Sequence, residues 1–285
     1  MNLYATYAAI KRDLHNVATT VTDYDTVLGD LSNAVSRAID HYTHTQFWVE
    51  KATRYYPEYD LHDSCREMLL PAHLISVTSS RADTDDDGTY DYTLVEGTDY
   101  RIAPYNRSEG RRRLELMRRG TQINYWPKWR HTLEVVGVWG WALDLTTLTA
   151  ATAEAVDTTE TVIDVTSPAL TEIEVGQTIR LTPTGTYEDV YVTAVTDAAT
   201  DTITVVRAQN GTTAATHVTS SVIDVYRYPR PVTEAVILQV EQWRQSLASG
   251  GSDMAGGGSF TSRVPSGLHP NIRNALAAYA KVAVL

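Results

Sequence analysis

The chain has 285 residues, of which 43% are hydrophobic, enough to bury a sizeable core in one large domain or two smaller ones. Its net charge of −11 argues against a protein that coats nucleic acid, since phosphate binding needs clustered Lys and Arg. One cysteine, Cys65, rules out an internal disulfide, and the opening MNLYATYAAIKRDL lacks the apolar run of a signal peptide or membrane span, so a soluble protein made in the cytoplasm is expected.

In chain order, Leu3, Tyr7, Ile10 and Leu14 recur at helical spacing and predict a short first helix. Asp23 or Asp25 can cap a second, whose apolar stripe reads Leu28, Leu31, Val35, Ala38, Ile39 and Tyr42. From Phe47 the period shifts to two, predicting strands at 47–56, 72–80, 90–95 and 133–138, with Gly110 and Gly120 punctuating an Arg-rich hairpin. Residues 148–228 change character. They are rich in Thr, Val, Ala and Asp, hold no Trp, Lys or Phe, and carry short predicted strands near 161–165, 178–182, 187–195, 202–206 and 222–226 with a turn at Asn210-Gly211. The chain then returns through Tyr228-Pro229-Arg230-Pro231 to a helix striped by Val236, Val240, Trp243 and Leu247, and a last helix begins near Pro270 beyond a glycine-rich linker. The expected class is α+β: a mainly helical core (1–147 and 229–285, with a flexible linker over 248–262) carrying an antiparallel hairpin or sheet region. Into it is inserted a small all-β domain, barrel or sandwich, at 148–228, whose strands can pair among themselves.

Charge is segregated along the chain. From Arg101 to His131 nine cations face only Glu109 and Glu115, whereas from Leu148 to Tyr228 eleven acids face Arg180, Arg207 and Arg227. Tyrosine outnumbers phenylalanine 17 to 2, so aromatic surface keeps a polar handle suited to subunit interfaces that are part apolar and part wet.

Chemistry-bearing motifs are few. Asp83-Thr84-Asp85-Asp86-Asp87-Gly88 spaces carboxylates as an EF-hand loop does, but the twelfth position is Leu94 instead of a bidentate Glu and the flanks read as strands. An acidic hairpin turn is expected there. His41 with His44, and His62 with Cys65, lack the second half of a tetrahedral zinc site and read as surface or interface residues. No nucleophile elbow, phosphate-binding loop or dinucleotide fingerprint occurs, so no catalytic residue, cofactor or metal ligand is assigned and an enzyme is not expected. Arg111, Arg112, Arg113, Arg118 and Arg119 have two open readings: pairing with acids of neighbouring subunits, or lining an opening through which DNA passes by many weak contacts.

Five segments in order carry a family resemblance: Ile39-Asp40-x-Tyr42-Thr43 leading to Phe47; Thr53-Arg54-Tyr55-Tyr56; Asp87-Gly88-Thr89-Tyr90 with Asp99-Tyr100-x-x-x-Pro104; Val136-Gly137-Val138-Trp139-Gly140-Trp141; and His269-Pro270-x-Ile272 with Tyr279. Over 1–147 and 228–285 this order resembles the head–tail connector adaptors of long-tailed bacteriophages. The segment 148–228 departs from minimal adaptors, although Val175-Gly176-Gln177-Thr178-Ile179 and Val205 to Thr213 look like a β-module recurring in phage structural proteins. The resemblance implies a virion neck protein made in the host cytoplasm. It would form a homo-oligomeric ring, typically a dodecamer, beneath the portal, joining it to stopper and tail proteins while double-stranded DNA passes. On that reading Phe260, Val264, Leu268 and Ile272, on a tethered terminal segment, would supply apolar anchors for the portal. The alternative is a decoration or receptor- or glycan-binding protein, for which the insert offers Tyr187, Tyr191 and Tyr226.

Overall fold

The computed structural model describes residues 2–13, 25–56, 66–120, 122–166, 169–182, 187–197, 200–248 and 267–280. Helices α1 (Tyr7–Asp13) and α2 (Asp25–Thr43) open the chain. Seven strands follow: β1 (Glu50–Tyr56), β2 (Glu67–Leu69), β3 (Leu74–Ala82), β4 (Tyr92–Leu94), β5 (Tyr100–Ala103), β6 (Arg113–Leu116) and β7 (Leu133–Trp139). Next come β8 (Leu145–Ala151), β9 (Val162–Val165), the one-turn helix α3 (Ala169–Glu172), β10 (Thr178–Thr182), β11 (Glu188–Thr196), β12 (Asp201–Gln209) and β13 (Val222–Tyr226). Helices α4 (Arg230–Ala248) and α5 (Pro270–Leu276) end the described chain, the latter running into a 3-10 turn (Ala277–Tyr279).

The described residues are mostly β, with thirteen strands in three antiparallel sheets. This overturns the expectation of a mainly helical core. β4 falls inside the expected strand 90–95, so the difference lies in β2, β5 and β6, which are three or four residues long. Such strands carry only one or two inward side chains each, too few for a period of two to declare itself. The linker expected over 248–262 lies beyond α4 and outside the described residues, apart from Ala248 itself.

Two compact units form. One spans Thr45–Leu143; the other joins Met1–His44 to Asp144–Leu285. In the first, the sheet β1-β7-β3-β4 and the sheet β2-β6-β5 share one core of Tyr56, Leu70, Leu74, Tyr100, Leu114, Trp126, Leu133 and Trp139, among others. Trp126 and Trp139 are fully buried, and their indole N–H groups donate to the carbonyls of Arg66 and Ala52, each at 2.9 Å. A buried indole is favourable only when its N–H finds such a partner.

In the second unit, the sheet β8-β13-β10-β11-β12-β9 closes on itself. Thr152 bridges Val165, while Ala153 N–H donates to Asp164 O and Thr166 N–H to Ala151 O, each at 2.8 Å. The result is a small six-stranded barrel, filled by alternate residues such as Ile163, Ile179, Leu181, Val190, Val192, Ile203 and Ile223. The strands predicted for 148–228 are present within a few residues of their expected bounds, with β8 added ahead of them. The amino-terminal segment packs on this barrel. Asn2 accepts from Thr178 Oγ1 (3.0 Å) and donates to Asn210 (2.7 Å), and Tyr7 Oη lies 3.5 Å from Tyr191 Oη. Helix α4 carries α2 on its flank and receives α5, through buried Val232, Val236 and Val240. No described helix is long and apolar enough to cross a membrane.

Candidate functional site

The acidic loop is built as a turn. Buried Asp83 accepts the backbone N–H groups of Asp85 (3.2 Å), Asp86 (2.8 Å) and Gly88 (2.9 Å), and Asp91 accepts the N–H and hydroxyl of Thr84, both at 3.1 Å. Desolvation works against the Asp83 carboxylate, but those three N–H donors outweigh it and hold its pKa below the ordinary value. Asp85 moves the other way, raised by desolvation and by the charges of Asp87 and Asp91. Carboxylate oxygens of Asp83, Asp85 and Asp91 lie within 4.8 Å of one another. Those of Asp83 and Asp91 are already taken up by protein donors, and position twelve is the apolar, buried Leu94. Calorimetric titration with calcium is therefore expected to give no saturable binding in the micromolar range; saturable heat abolished by Asp85→Asn would overturn the turn reading.

The arginine cluster lies along the β5–β6 hairpin and divides. Arg113 pairs with Glu115 at 2.7 Å and Glu67 at 3.4 Å, and the Arg111 guanidinium donates to the Ile75 carbonyl. Burial, together with Glu67, raises the pKa of Glu115. Arg112 is half-buried, while Arg118 and Arg119 are exposed and form no ion pair among the described residues. Leu268 and Ile272 are buried, with α5 folded onto α4 and His269 N–H donating to Gln239 Oε1 at 2.8 Å. A grip on the portal through these two side chains would require α5 to leave α4. Phe260 and Val264 lie outside the described residues, as do His62 and Cys65. His41 and His44 sit on the surface with ring centroids 6.1 Å apart. On the barrel, Tyr191 and Tyr226 are buried and Tyr187 is half-buried against the Arg180 guanidinium, 3.5 Å from its ring centroid. None of the three offers the open aromatic platform a glycan would need.

Two features escaped the reading of the sequence. The first is a buried charge network inside the barrel. Glu188 receives Arg207 through both oxygens (2.8 and 2.6 Å), His217 Nε2 at 3.0 Å, and the backbone N–H groups of Ala208 (2.9 Å) and Ala215 (3.0 Å). Beside it, Arg180 pairs with Asp189 at 3.0 Å, and Tyr226 Oη donates to Asp189 at 2.7 Å. A usable signal was present: Arg180 and Arg207 are nearly alone among eleven acids, and an isolated cation in such a segment is placed for an internal partner.

The second is the loop before β7. Its buried residues Ile123, Trp126 and Pro127 anchor it from beneath, while Tyr125 (65% exposed) and Trp129 (55% exposed) project outward with Lys128 and Arg130. Hydrogen bonds hold the backbone at Asn124, Trp129 and His131 and fix the Trp126 side chain. Arg66 donates to Asn124 O (3.1 Å), Trp126 to Arg66 O (2.9 Å), Thr132 Oγ1 to Trp129 O (2.7 Å) and Tyr90 Oη to His131 O (3.1 Å). The loop borders an open concavity of about 490 Å³ lined by Thr53, Arg54, Tyr55, Tyr56, Pro71, Arg130 and His131, with the Tyr55 and His131 rings 5.4 Å apart. Rigidly displayed Trp, Tyr and Arg are the side chains that dominate protein–protein binding energy.

No protein-family model matches the chain, and no curated protein is significantly similar to it. One solved structure is similar, the neck of an empty GTA particle computed with C6 symmetry: 11% identity over 99% of this chain and 92% of that chain, with a TM-score of 0.42.

Proposed function

We propose that this chain is a non-enzymatic structural subunit of a phage-like virion neck: a head–tail connector adaptor that is made in the host cytoplasm and assembles as a ring, typically of twelve copies. In this reading the ring sits beneath the portal, links it to stopper and tail proteins, and leaves a channel for DNA. The observation that supports it best is the pairing of β1 with β7. Two of the segments behind the sequence resemblance are there one structural unit, with Thr53 opposite Val136, Lys51 opposite Val138 and Glu50 opposite Trp139. A third segment joins them: Phe47 packs against Trp141 with centroids 6.0 Å apart, and Trp141 N–H donates to Gln46 O at 2.9 Å. What the geometry offers is braced β scaffolding with exposed aromatic anchors, which suits assembly more than turnover.

Particles produced without this chain are expected to accumulate as heads separate from tails in negative-stain electron micrographs, and adding the purified protein should join them. Complete infectious particles lacking the chain would overturn the neck reading.

A further inference from the structure

The loop Ile123–Thr132 displays two aromatic side chains and two cations on a pinned backbone, and Lys128 and Arg130 form no ion pair among the described residues. A surface of matching character exists elsewhere on the same chain. On the outer face of the barrel, Val162 (47% exposed) and Val206 (48% exposed) lie near one another: Val162 pairs with Thr204 across β9 and β12, two residues from Val206. Glu160 and Asp164 flank Val162, and neither side chain forms an ion pair among the described residues. Of the two arginines within the barrel strands, Arg180 pairs with Asp189; Arg207 donates to the backbone carbonyls of Asp157 and Glu160, but its ion pair is with buried Glu188, which offsets its charge beside the patch.

We infer that the Tyr125–Trp129–Arg130 loop of one copy docks on the Val162–Val206 acidic face of the barrel of a second copy. The inference rests on the ring reading above and names the surfaces that would build it. One patch is apolar with acids and the other aromatic with bases, so they are complementary without being alike. Such a contact is heterologous, the kind that closes rings when repeated around an axis. Passing DNA is the weaker occupant for this loop. Duplex bases are already stacked, which leaves Trp129 and Tyr125 without a face to cover, and a chain of net charge −11 adds long-range repulsion.

Sedimentation velocity of the full chain at rising concentration tests this. The wild type should self-associate, and the association should weaken as salt rises. Trp129→Ala should lower the association constant by about 30-fold or more, the scale of a central aromatic anchor. Lys128→Glu with Arg130→Glu should weaken it too, as should Glu160→Lys with Asp164→Lys, and combining the two reversed pairs should restore it. Lys128, Trp129 and Arg130 are exposed, and the half-buried Glu160 and Asp164 form no ion pair among the described residues, so near-unchanged thermal melts should accompany every variant. Association that survives Trp129→Ala and both charge reversals overturns this inference while leaving the neck reading intact. A wild type that stays monomeric also overturns it, and the neck reading is then judged separately by particle composition. If the wild type instead binds a double-stranded DNA fragment and the loop variants lose that binding, the loop faces DNA and the inference fails.

Discussion

Glu188→Ala is expected to unfold the barrel or lower its melting temperature by on the order of 10 °C. Glu188 is completely buried; among the described residues it is the one carboxylate paired with Arg207, and it also accepts from His217 Nε2 and two backbone N–H groups. Removing it leaves the Arg207 guanidinium buried without its counter-charge, a defect of roughly 3–5 kcal/mol. Burial opposes the charged form of Glu188, yet the bonds from Arg207, His217 and the backbone win and bring its pKa down to about 2 from 4.5. A carboxylate depressed in the folded state contributes stability fully above its unfolded pKa and loses it as pH falls through the folded one. The contribution, on the order of 3 kcal/mol, should therefore be complete at neutral pH and disappear between about pH 4.5 and pH 2. Thermal melts from pH 7 downward should show that slope in the wild type and a shallower one in Glu188→Gln. A variant melting within about 2 °C of wild type at pH 7 would mean that the network is incidental to the barrel.

The barrel was the most legible part of the chain because its strands alternate at a period of two and turn signals separate them. Ile203 and Val205 point inward on β12 while Thr204 and Val206 point outward, and β9, β10 and β13 follow the same logic. The long helices were legible for the equivalent reason at a period of 3.6: Leu28, Val35 and Ile39 of the predicted stripe are buried. The three-stranded sheet β2-β6-β5 was not legible as a sheet. Only Met68 points inward on β2, and the outer faces of β5 and β6 carry Arg101, Arg113 and Glu115, so the segment reads as a charged hairpin. The displayed loop was hidden for a different reason. NYWPKW places buried Trp126 and Pro127 between exposed Tyr125 and Lys128, and no regular period separates anchors from displayed residues when the backbone is irregular. Composition located the charge asymmetry, but only the fold distinguishes cations already paired, such as Arg113, from those left open, such as Lys128 and Arg130.

Gly140→Ala should destabilise the unit Thr45–Leu143 by roughly 3 kcal/mol or more, and the reason explains why glycine stands in Val-x-Gly-Val-Trp-Gly-Trp. Gly140 has φ of +145°, a region that residues with a side chain scarcely enter, and a Cβ there would lie 2.7 Å from the Trp48 carbonyl oxygen. The close approach is held from both sides, by Gly140 N–H donating to His73 O at 3.0 Å and Trp141 N–H donating to Gln46 O at 2.9 Å. The backbone therefore cannot swing away without breaking the junction that seats Trp139 and Trp141. Gly137 is constrained for a simpler reason: a Cβ there would meet the Ser76 carbonyl oxygen at 2.5 Å across the β3–β7 pair. Gly97 supplies the control, because it also has positive φ (+84°) but nothing lies within 4 Å of its missing Cβ. Gly97→Ala should cost only the backbone term, about 1–2 kcal/mol. Five of the six tryptophans lie in this unit, so denaturant unfolding followed by tryptophan fluorescence reads its stability directly. A Gly140→Ala midpoint no lower than that of Gly97→Ala would sink the close-approach account. The glycine in the motif would then have to be explained by φ alone.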